Sequence, residues 1–94
     1  MENILITTGD VKEDYEIIDA VFALDSCTEG FFKGADPNKA FDKVKDGLRK
    51  KAEELGGDAV INCQFEYRIA VSQGLIGSKQ VVEIFAYGTA VRLH

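Results

Sequence analysis

An apolar stripe with a period of 3.6 residues constrains this chain more than any other feature. Its members follow at the spacings i, i+3, i+7, i+11 and i+14, and they are Phe41, Val44, Leu48, Ala52 and Leu55. That spacing places them on one face of a helix. Asp36 and Pro37 suit the N-cap and first helical position, and Gly56-Gly57 suits the C-terminal end. We therefore predict a helix over residues 37–55 whose apolar face packs on a sheet, together with Ile61, Phe65 and either Ile17 or Ile18.

Four β-type segments surround this helix, over residues 4–8, 15–24, 59–71 and 79–93. The third alternates cleanly and is predicted to place one apolar set on a single face: Ala59, Ile61, Cys63, Phe65, Tyr67, Ile69 and Val71. Residues 25–38 contain two glycines and the one proline, which indicates a loop. The order predicts an α+β fold, a two-layer ββαββ subunit with one long helix on a mainly antiparallel sheet, built as two hairpins around the helix. Gly88, in the middle of the last strand, indicates a bulge or a close backbone approach.

Composition limits the classes of function. The chain has 94 residues, which suits a single domain over residues 1–94, and a formal net charge of −5. Its cations are interleaved with acids rather than clustered, so neither nucleic acid nor an anionic membrane surface is an expected partner. It has no run of ~20 apolar residues and no basic-then-apolar leader. Two cysteines far apart do not form a disulfide framework, and together these features favour a reducing, cytoplasmic compartment.

Catalytic and metal-ligating residues are sparse. The one histidine, His94, lies at the end of the sequence, where chains usually fray, and no catalytic or cofactor-binding motif is present, so we expect no cofactor. Cys27 and Cys63 are weak candidates for soft-metal ligands, because two thiols with no further ligand nearby do not make a closed site. Cys63 is equally explained as a small buried hydrophobe. An acidic group around the first turn could bind a hard cation, but its spacing does not match a calcium loop and favours a solvated turn: Asp10, Glu13, Asp14, Glu16 and Asp19.

Exposed apolar residues predict contacts between copies of the chain. Phe31 and Phe32 lie between glycines in the predicted loop, and they either tuck under the sheet or contact a partner. The last two strands, at ~3.3 Å per residue, run to roughly 45 Å. The helix, at 1.5 Å per residue, covers only about 28 Å. The hairpin, with Leu75 and Ile76 at its tip, therefore overhangs the helix, and the second and fourth strands are apolar on both faces. A neighbouring copy can cover what one helix cannot.

Several strings in the chain resemble the YbjQ family. They are Glu83-Ile84-Phe85-Ala86-Tyr87-Gly88-Thr89-Ala90-Val91, Thr7-Thr8, Tyr15-Glu16-Ile17 and Gly56-Gly57-Asp58-Ala59-Val60. The resemblance implies a small, dodecin-like α+β subunit of a ring-shaped homopentamer, with a heavy-metal-binding label and no established activity. Familiar members carry a longer insert with Gly and Arg where this chain has residues 25–38, and the resemblance supplies no set of ligand residues to carry over.

Two classes of function remain open at this point. The first is a non-catalytic homo-oligomer that binds a small molecule, a metal or a protein in a cleft between subunits. The alternative is an enzyme whose site is assembled across subunits from the available polar side chains: Tyr15, Glu66, Tyr67, Arg68, Glu83 and Arg92. Clustering of these residues away from water would favour the enzyme, and their dispersal over the surface would favour the binding module.

Overall fold

The computed structural model describes residues 4–28, 37–74 and 77–94. The elements in these residues are β1 (Leu5–Ile6), β2 (Tyr15–Thr28), α1 (Pro37–Glu54), β3 (Ala59–Gly74) and β4 (Gly77–Leu93). The strands form one sheet in the order β1-β3-β4-β2. β4 is antiparallel to both of its neighbours, and β1 is parallel to β3. The α+β prediction, with one long helix on a mainly antiparallel sheet, is confirmed.

The helix buries most of its predicted stripe. Val44, Leu48 and Ala52 are 1%, 0% and 0% exposed, so the 3.6-residue period was assigned correctly. Phe41 is partly buried and meets Phe65 edge-on, with the ring centroids 6.3 Å apart. Leu55, by contrast, is 40% exposed, and its predicted burial is wrong. The reason is that α1 ends at Glu54, so that Leu55 lies in the turn that follows.

Two glycines form the C-terminal cap of α1. Gly56 has φ of +79°, a conformation that glycine adopts without strain. Its N–H donates to the carbonyl of Glu53 at 3.0 Å, and the N–H of Gly57 donates to that of Ala52 at 2.8 Å. These two bonds define a Schellman motif, which satisfies carbonyls at the end of the helix. The predicted glycine stop is confirmed, and the predicted cap at Asp36 lies outside the described residues.

β2, β3 and β4 are longer than predicted, whereas β1, predicted over residues 4–8, is limited to Leu5–Ile6. β2 continues through Asp25 to Thr28, paired with β4 as far as Thr28 opposite Val81, so the predicted loop over residues 25–38 is wrong for its first four positions. β3 and β4 likewise extend to Gly74 and Gly77, which pair with each other. Continued cross-strand hydrogen bonding overrides the local turn preference of these residues. The tip residues Leu75 and Ile76 lie outside the described residues.

The first two strands do not form the predicted hairpin. Leu5 and Ile6 of β1 pair in parallel with Ala59 and Val60 of β3, whereas β2 lies at the opposite edge of the sheet beside β4. The connection between them therefore crosses the sheet, and Val11 packs on the face away from the helix. A parallel partner far along the chain leaves no signal in the short apolar run of β1.

A bulge in β3 determines which of its side chains face the helix and which pack on the other side of the sheet. The register shifts between Ile61 and Gln64, and Asn62 has φ of +53°. Val60 and Cys63 consequently face the helix, while Ile61 packs on the other side of the sheet. The prediction that Ile61 shares a face with Cys63 under the helix is wrong, because an inserted residue inverts the alternation.

The extra residue of this bulge is matched by neighbouring backbone. The N–H groups of Asn62 and Cys63 donate to the carbonyls of Gly9 and Thr7, each at 3.0 Å. Gly88 on β4 lies across from the bulge, and a β-carbon there would come 2.8 Å from the Cys63 sulfur. The predicted close approach at Gly88 is thus confirmed.

Candidate oligomer interface on the open sheet face

The sheet face opposite the helix carries large apolar side chains in contact with solvent. Ile17, Phe22 and Leu24 of β2 are 67%, 66% and 64% exposed, and Tyr87 of β4 is 38% exposed. Phe85, directly opposite Leu24 in the register, is half-buried. We call these five residues the open face. Apolar residues on both faces of β2 were the sequence signal for it, although the individual side chains were not singled out.

One end of the same sheet surface is already covered within the subunit. Ala59, Ile61 and Val91 form a small buried cluster there, and three partly buried side chains pack on it: Val11, Tyr15 and Leu93. The connection between β1 and β2 thus covers the end near Val91. Four residues of the open face, Phe22, Leu24, Phe85 and Tyr87, lie in the remainder, towards the hairpin, whereas Ile17 lies opposite Val91, beside the covered end.

Two shallow grooves flank Arg68 beside the open face. One, of about 430 Å³, is lined by Phe22, Leu24, Phe85, Arg68 and Glu83 among others. The second, of about 420 Å³, shares Arg68 and Phe85 and continues towards Tyr67. Both volumes fall in the range of small-molecule sites.

Arg68 is held over these grooves by Glu83, its cross-strand partner. The Arg68 Nε and Nη2 donate to the two Glu83 carboxylate oxygens at 3.2 and 3.5 Å. The arginine side chain is 69% exposed and the glutamate 19% exposed, so this is a surface ion pair that contributes little to stability. Its effect is to fix the direction of the guanidinium group.

Both edges of the sheet are available for pairing within the described residues. β2 forms one edge along its length, and β3 forms the other edge from Gln64 onward, beyond the reach of β1. The helix packs mainly over β2 and β4. Tyr67 and Ile69 of β3 therefore stay 67% and 62% exposed even on the helix side.

The candidate enzyme residues do not meet in one subunit. Glu66, Tyr67, Arg68 and Glu83 lie towards the hairpin, while a second group, Tyr15 and Arg92, lies at the far end of the sheet. Tyr67 is opposite Ile84 and Tyr15 opposite Leu93, nine positions along β4, which is roughly 30 Å.

The second group has structural partners. Arg92 Nε donates to the carbonyl of Gly56, at 3.4 Å, beyond the end of the helix. Desolvation raises the pKa of Tyr15, and a hydrogen bond with Asp10 raises it further. Both effects keep the hydroxyl protonated at neutral pH, which disfavours Tyr15 as a general base.

Of the two thiol candidates, only Cys63 has a described side chain. Cys63 is fully buried, and its Sγ donates to the carbonyl of Val60 at 3.7 Å. Desolvation raises the pKa of this thiol, and a hydrogen bond with the Thr7 backbone offsets only part of the effect, so the thiolate that a soft metal requires is disfavoured. In the parts of the chain that the structure describes, no three His, Cys, Asp or Glu side chains converge on a possible metal position. Cys27 lies in β2 opposite Val82, but its side chain is outside the described set, as are Phe31 and Phe32.

The terminal histidine is more ordered than predicted. The backbone N–H of His94 donates to the carbonyl of Asp14 at 2.9 Å, and its Nε2 lies 3.8 Å from Glu16 Oε2. The expected fraying is therefore wrong, because β4 pairs with β2 up to its last residue. The exposed carboxylate of Asp10 accepts a hydrogen bond from the backbone N–H of Val11, as in an ordinary solvated turn, and that of Asp19 accepts one from the N–H of Ala20 beside the bulge in β2.

Fold and site together define a small α+β protein in which the described residues leave one sheet face largely exposed and no described strand on the outer side of β2 or of β3 beyond Gln64. No helix among the described residues is long and apolar enough to cross a membrane. Residues 35–94 match the model of the YbjQ family, described as "putative heavy-metal-binding". The match covers more than half of the chain, and the protein belongs to this family.

Two similar proteins agree with this assignment. A UPF0145 protein of Halorubrum lacusprofundi is 43% identical over 54 residues, which are 57% of this chain and 45% of that protein. The chain thus matches less than half the length of that relative. A crystal structure of a protein of unknown function from Pediococcus pentosaceus, of the DUF74 family, superposes with a TM-score of 0.73 at 28% identity. That superposition covers 97% of this chain and 98% of the other.

Proposed function

We propose that the protein is a non-catalytic binding module that works as a homo-oligomer, and that the oligomer is the pentamer implied by its family resemblance. The observation that carries the proposal is the open face. Three of its large apolar side chains, Ile17, Phe22 and Leu24, are each about two-thirds exposed in one subunit. Phe22 and Leu24 lie opposite Tyr87 and Phe85, and contiguous apolar surface of this kind marks an interaction site in soluble proteins.

The energetic scale supports assembly. Burying one such side chain from full exposure contributes about 1.5–3 kcal/mol, and since these three are about two-thirds exposed, covering them contributes roughly 3–6 kcal/mol per subunit before the costs of association. Those costs are of order 4–15 kcal/mol for a bimolecular contact. Burial of these side chains therefore offsets only the lower end of that cost, and a stable oligomer needs the sheet edges as well.

A binding role fits the grooves better than a catalytic one does. The volumes beside Arg68, about 430 and 420 Å³, would admit a small molecule, and assembly would deepen them by placing a neighbour over the open face. An enzyme would need the polar candidates together, whereas Tyr15 and Tyr67 are roughly 30 Å apart along the strands. The cargo of the module, whether a small molecule, a metal ion or a protein, is left to the experiment.

The test is native mass spectrometry of the protein purified from its own cells, paired with sedimentation velocity at micromolar concentration. We expect a pentamer and, in the mass spectrum, any retained ligand or metal ion. Leu24→Lys should shift the protein to smaller species, because it places a charge on the open face. Lys50→Glu on the exposed side of the helix is the matched control and should leave the assembly intact. A monomer for the unmodified chain would overturn the proposal.

A further inference from the structure

We infer that the subunits join through two unlike sheet edges: the edge of β3 from Gln64 onward in one copy pairs in parallel with the edge of β2 in the next. The inference rests on the proposed homo-oligomer and specifies which surfaces meet in it. Four features of the described residues lead to it, and they concern coverage, charge, strand direction and symmetry.

The β3 edge is the least covered part of the subunit. β1 pairs only with Ala59 and Val60 of β3. The hydrogen bonds from the N–H groups of Asn62 and Cys63 to Gly9 and Thr7, which follow β1, extend this cover as far as the bulge. Beyond Gln64 no described strand lies outside β3. Tyr67 and Ile69 are exposed on the helix side of this stretch. Along this stretch β3 is paired only with β4 on its inner side, so the outer backbone groups of β3 are a template for pairing with a strand of another copy.

The β2 edge has few of the features that keep an edge from pairing. Its 14 residues contain no proline, lysine or arginine, which natural proteins place on edges to block association. Its bulge lies near the start, between Ile17 and Asp19, and from Ala20 to Thr28 the strand is paired with β4 in continuous register. This regular stretch of β2 is suited to the addition of another strand.

Charge selects unlike edges over like ones. β2 carries three carboxylates, Glu16, Asp19 and Asp25, and no cation. Pairing β2 with β2 of another copy would bring these acids against each other, which is unfavourable across strands. The described stretch of β3 beyond the bulge has one acid and one base, Glu66 and Arg68, and so has no net charge. The neutral edge is the better partner for the acidic one.

Strand direction makes the pairing compatible with a ring. β2 and β3 are both antiparallel to β4 and therefore point the same way. Rotation of a copy about an axis along the strands brings its β3 edge beside the β2 edge of its neighbour as a parallel pair, with both helices on the same side. Such a head-to-tail contact uses two different surfaces and can close into a ring of any number, including five, whereas a twofold contact between like edges cannot close an odd ring.

Disulfide trapping between singly substituted chains tests the inference. Leu24 and Glu66 both lie opposite Phe85, on either side of β4, and both side chains are exposed. Two variants, Leu24→Cys and Glu66→Cys, are made in a Cys27→Ser background, given tags of different mass, co-expressed and oxidised. The remaining cysteine, Cys63, is buried and cannot form the disulfide. We expect a disulfide-linked pair that contains one chain of each kind, and no linked pair when either variant is expressed alone.

The possible outcomes separate this inference from the proposed function. Self-linking of Leu24→Cys in the absence of the second variant would show a twofold β2 contact and overturn the inference. The control pairs Leu24→Cys with Lys50→Cys on the helix surface. If native mass spectrometry shows an intact oligomer but the mixed disulfide does not exceed the level of this control, the inference is also overturned. In either of those cases the oligomer itself would survive. A monomer would overturn both proposals.

Discussion

Replacement of Gly88 by alanine tests whether the bulge in β3 determines how closely the strands pack. A β-carbon at this position would lie 2.8 Å from both Cys63 Sγ and Val60 Cγ1, and 3.1 Å from the carbonyl oxygen of Ile61. One of these three atoms belongs to the backbone and another to a β-branched side chain, and neither moves easily. The substitution should therefore destabilise the protein.

The magnitude follows from two opposing effects. Glycine in a strand interior costs roughly 0.5–1 kcal/mol relative to alanine, so strand preference alone predicts that Gly88→Ala stabilises the protein. Overpacking of a tight site costs about 1–3 kcal/mol. The net expectation is a loss of about 1–2 kcal/mol, which for a domain of this size lowers Tm by roughly 5–15 °C.

Thermal and denaturant unfolding at one fixed protein concentration provide the assay, since assembly makes Tm concentration-dependent. Gly9→Ala is the matched control, because the new β-carbon would meet only Thr7 Oγ1 at 3.9 Å, an ordinary contact. In a double-mutant cycle, Cys63→Ala should recover part of the loss by removing the sulfur. A Gly88→Ala protein at least as stable as the parent would refute the argument.

Three further predictions concern the core, the pH dependence and the metal label. Leu48 is fully buried, so Leu48→Ala should lower the free energy of unfolding by about 2–5 kcal/mol, while the exposed control Lys50→Ala should change it little; equal midpoints would contradict this. Burial raises the pKa of the folded Cys63 thiol above its ordinary value of 9.0, so above that pH the unfolded state binds fewer protons than the folded state. The free energy of unfolding, measured by denaturant titration at several pH values, should therefore fall as the pH rises above 9. An equal fall in Cys63→Ala would show that the pH dependence has another source. Calorimetric titration of the reduced, metal-free protein with zinc at neutral pH should give weak binding, equal in Cys27→Ser; submicromolar, stoichiometric binding that the variant loses would make Cys27 a ligand.

The helix was predictable because its determinants are local. The stripe from Phe41 to Ala52 and the glycine stop depend on residues within a few turns of one another, and the structure reproduces both. Leu55 was misplaced by a single residue at the boundary, where the cap bonds of Gly56 and Gly57 decide the end of the helix. The α+β class follows from the same helix and from the alternation in the third strand.

The open face was only partly predictable. Apolar residues on both faces of β2 indicated that a single helix could not cover the strand, and the exposure of Phe22 and Leu24 agrees with that interpretation. Which side chains face outward depends on the bulge between Ile17 and Asp19, which places Ile18 rather than Ile17 towards the helix. A bulge adds one residue to the strand without a strong local signal, and every later side chain changes face.

The amino-acid sequence by itself determined the helix, its glycine stop, the α+β class and the surplus of apolar strand surface, because each depends on periodicity or on residues adjacent in the chain. Only the tertiary structure decided that β1 pairs with β3 across the sheet from β2, that Ile61 and Cys63 lie on opposite faces, and that no described strand covers β3 on its outer side beyond the bulge. These features depend on hydrogen bonds between residues distant in sequence, such as Cys63 with Thr7 and Asp58 with Val91. The free energy that selects such pairings is shared over the whole sheet, and no short segment of the chain carries it.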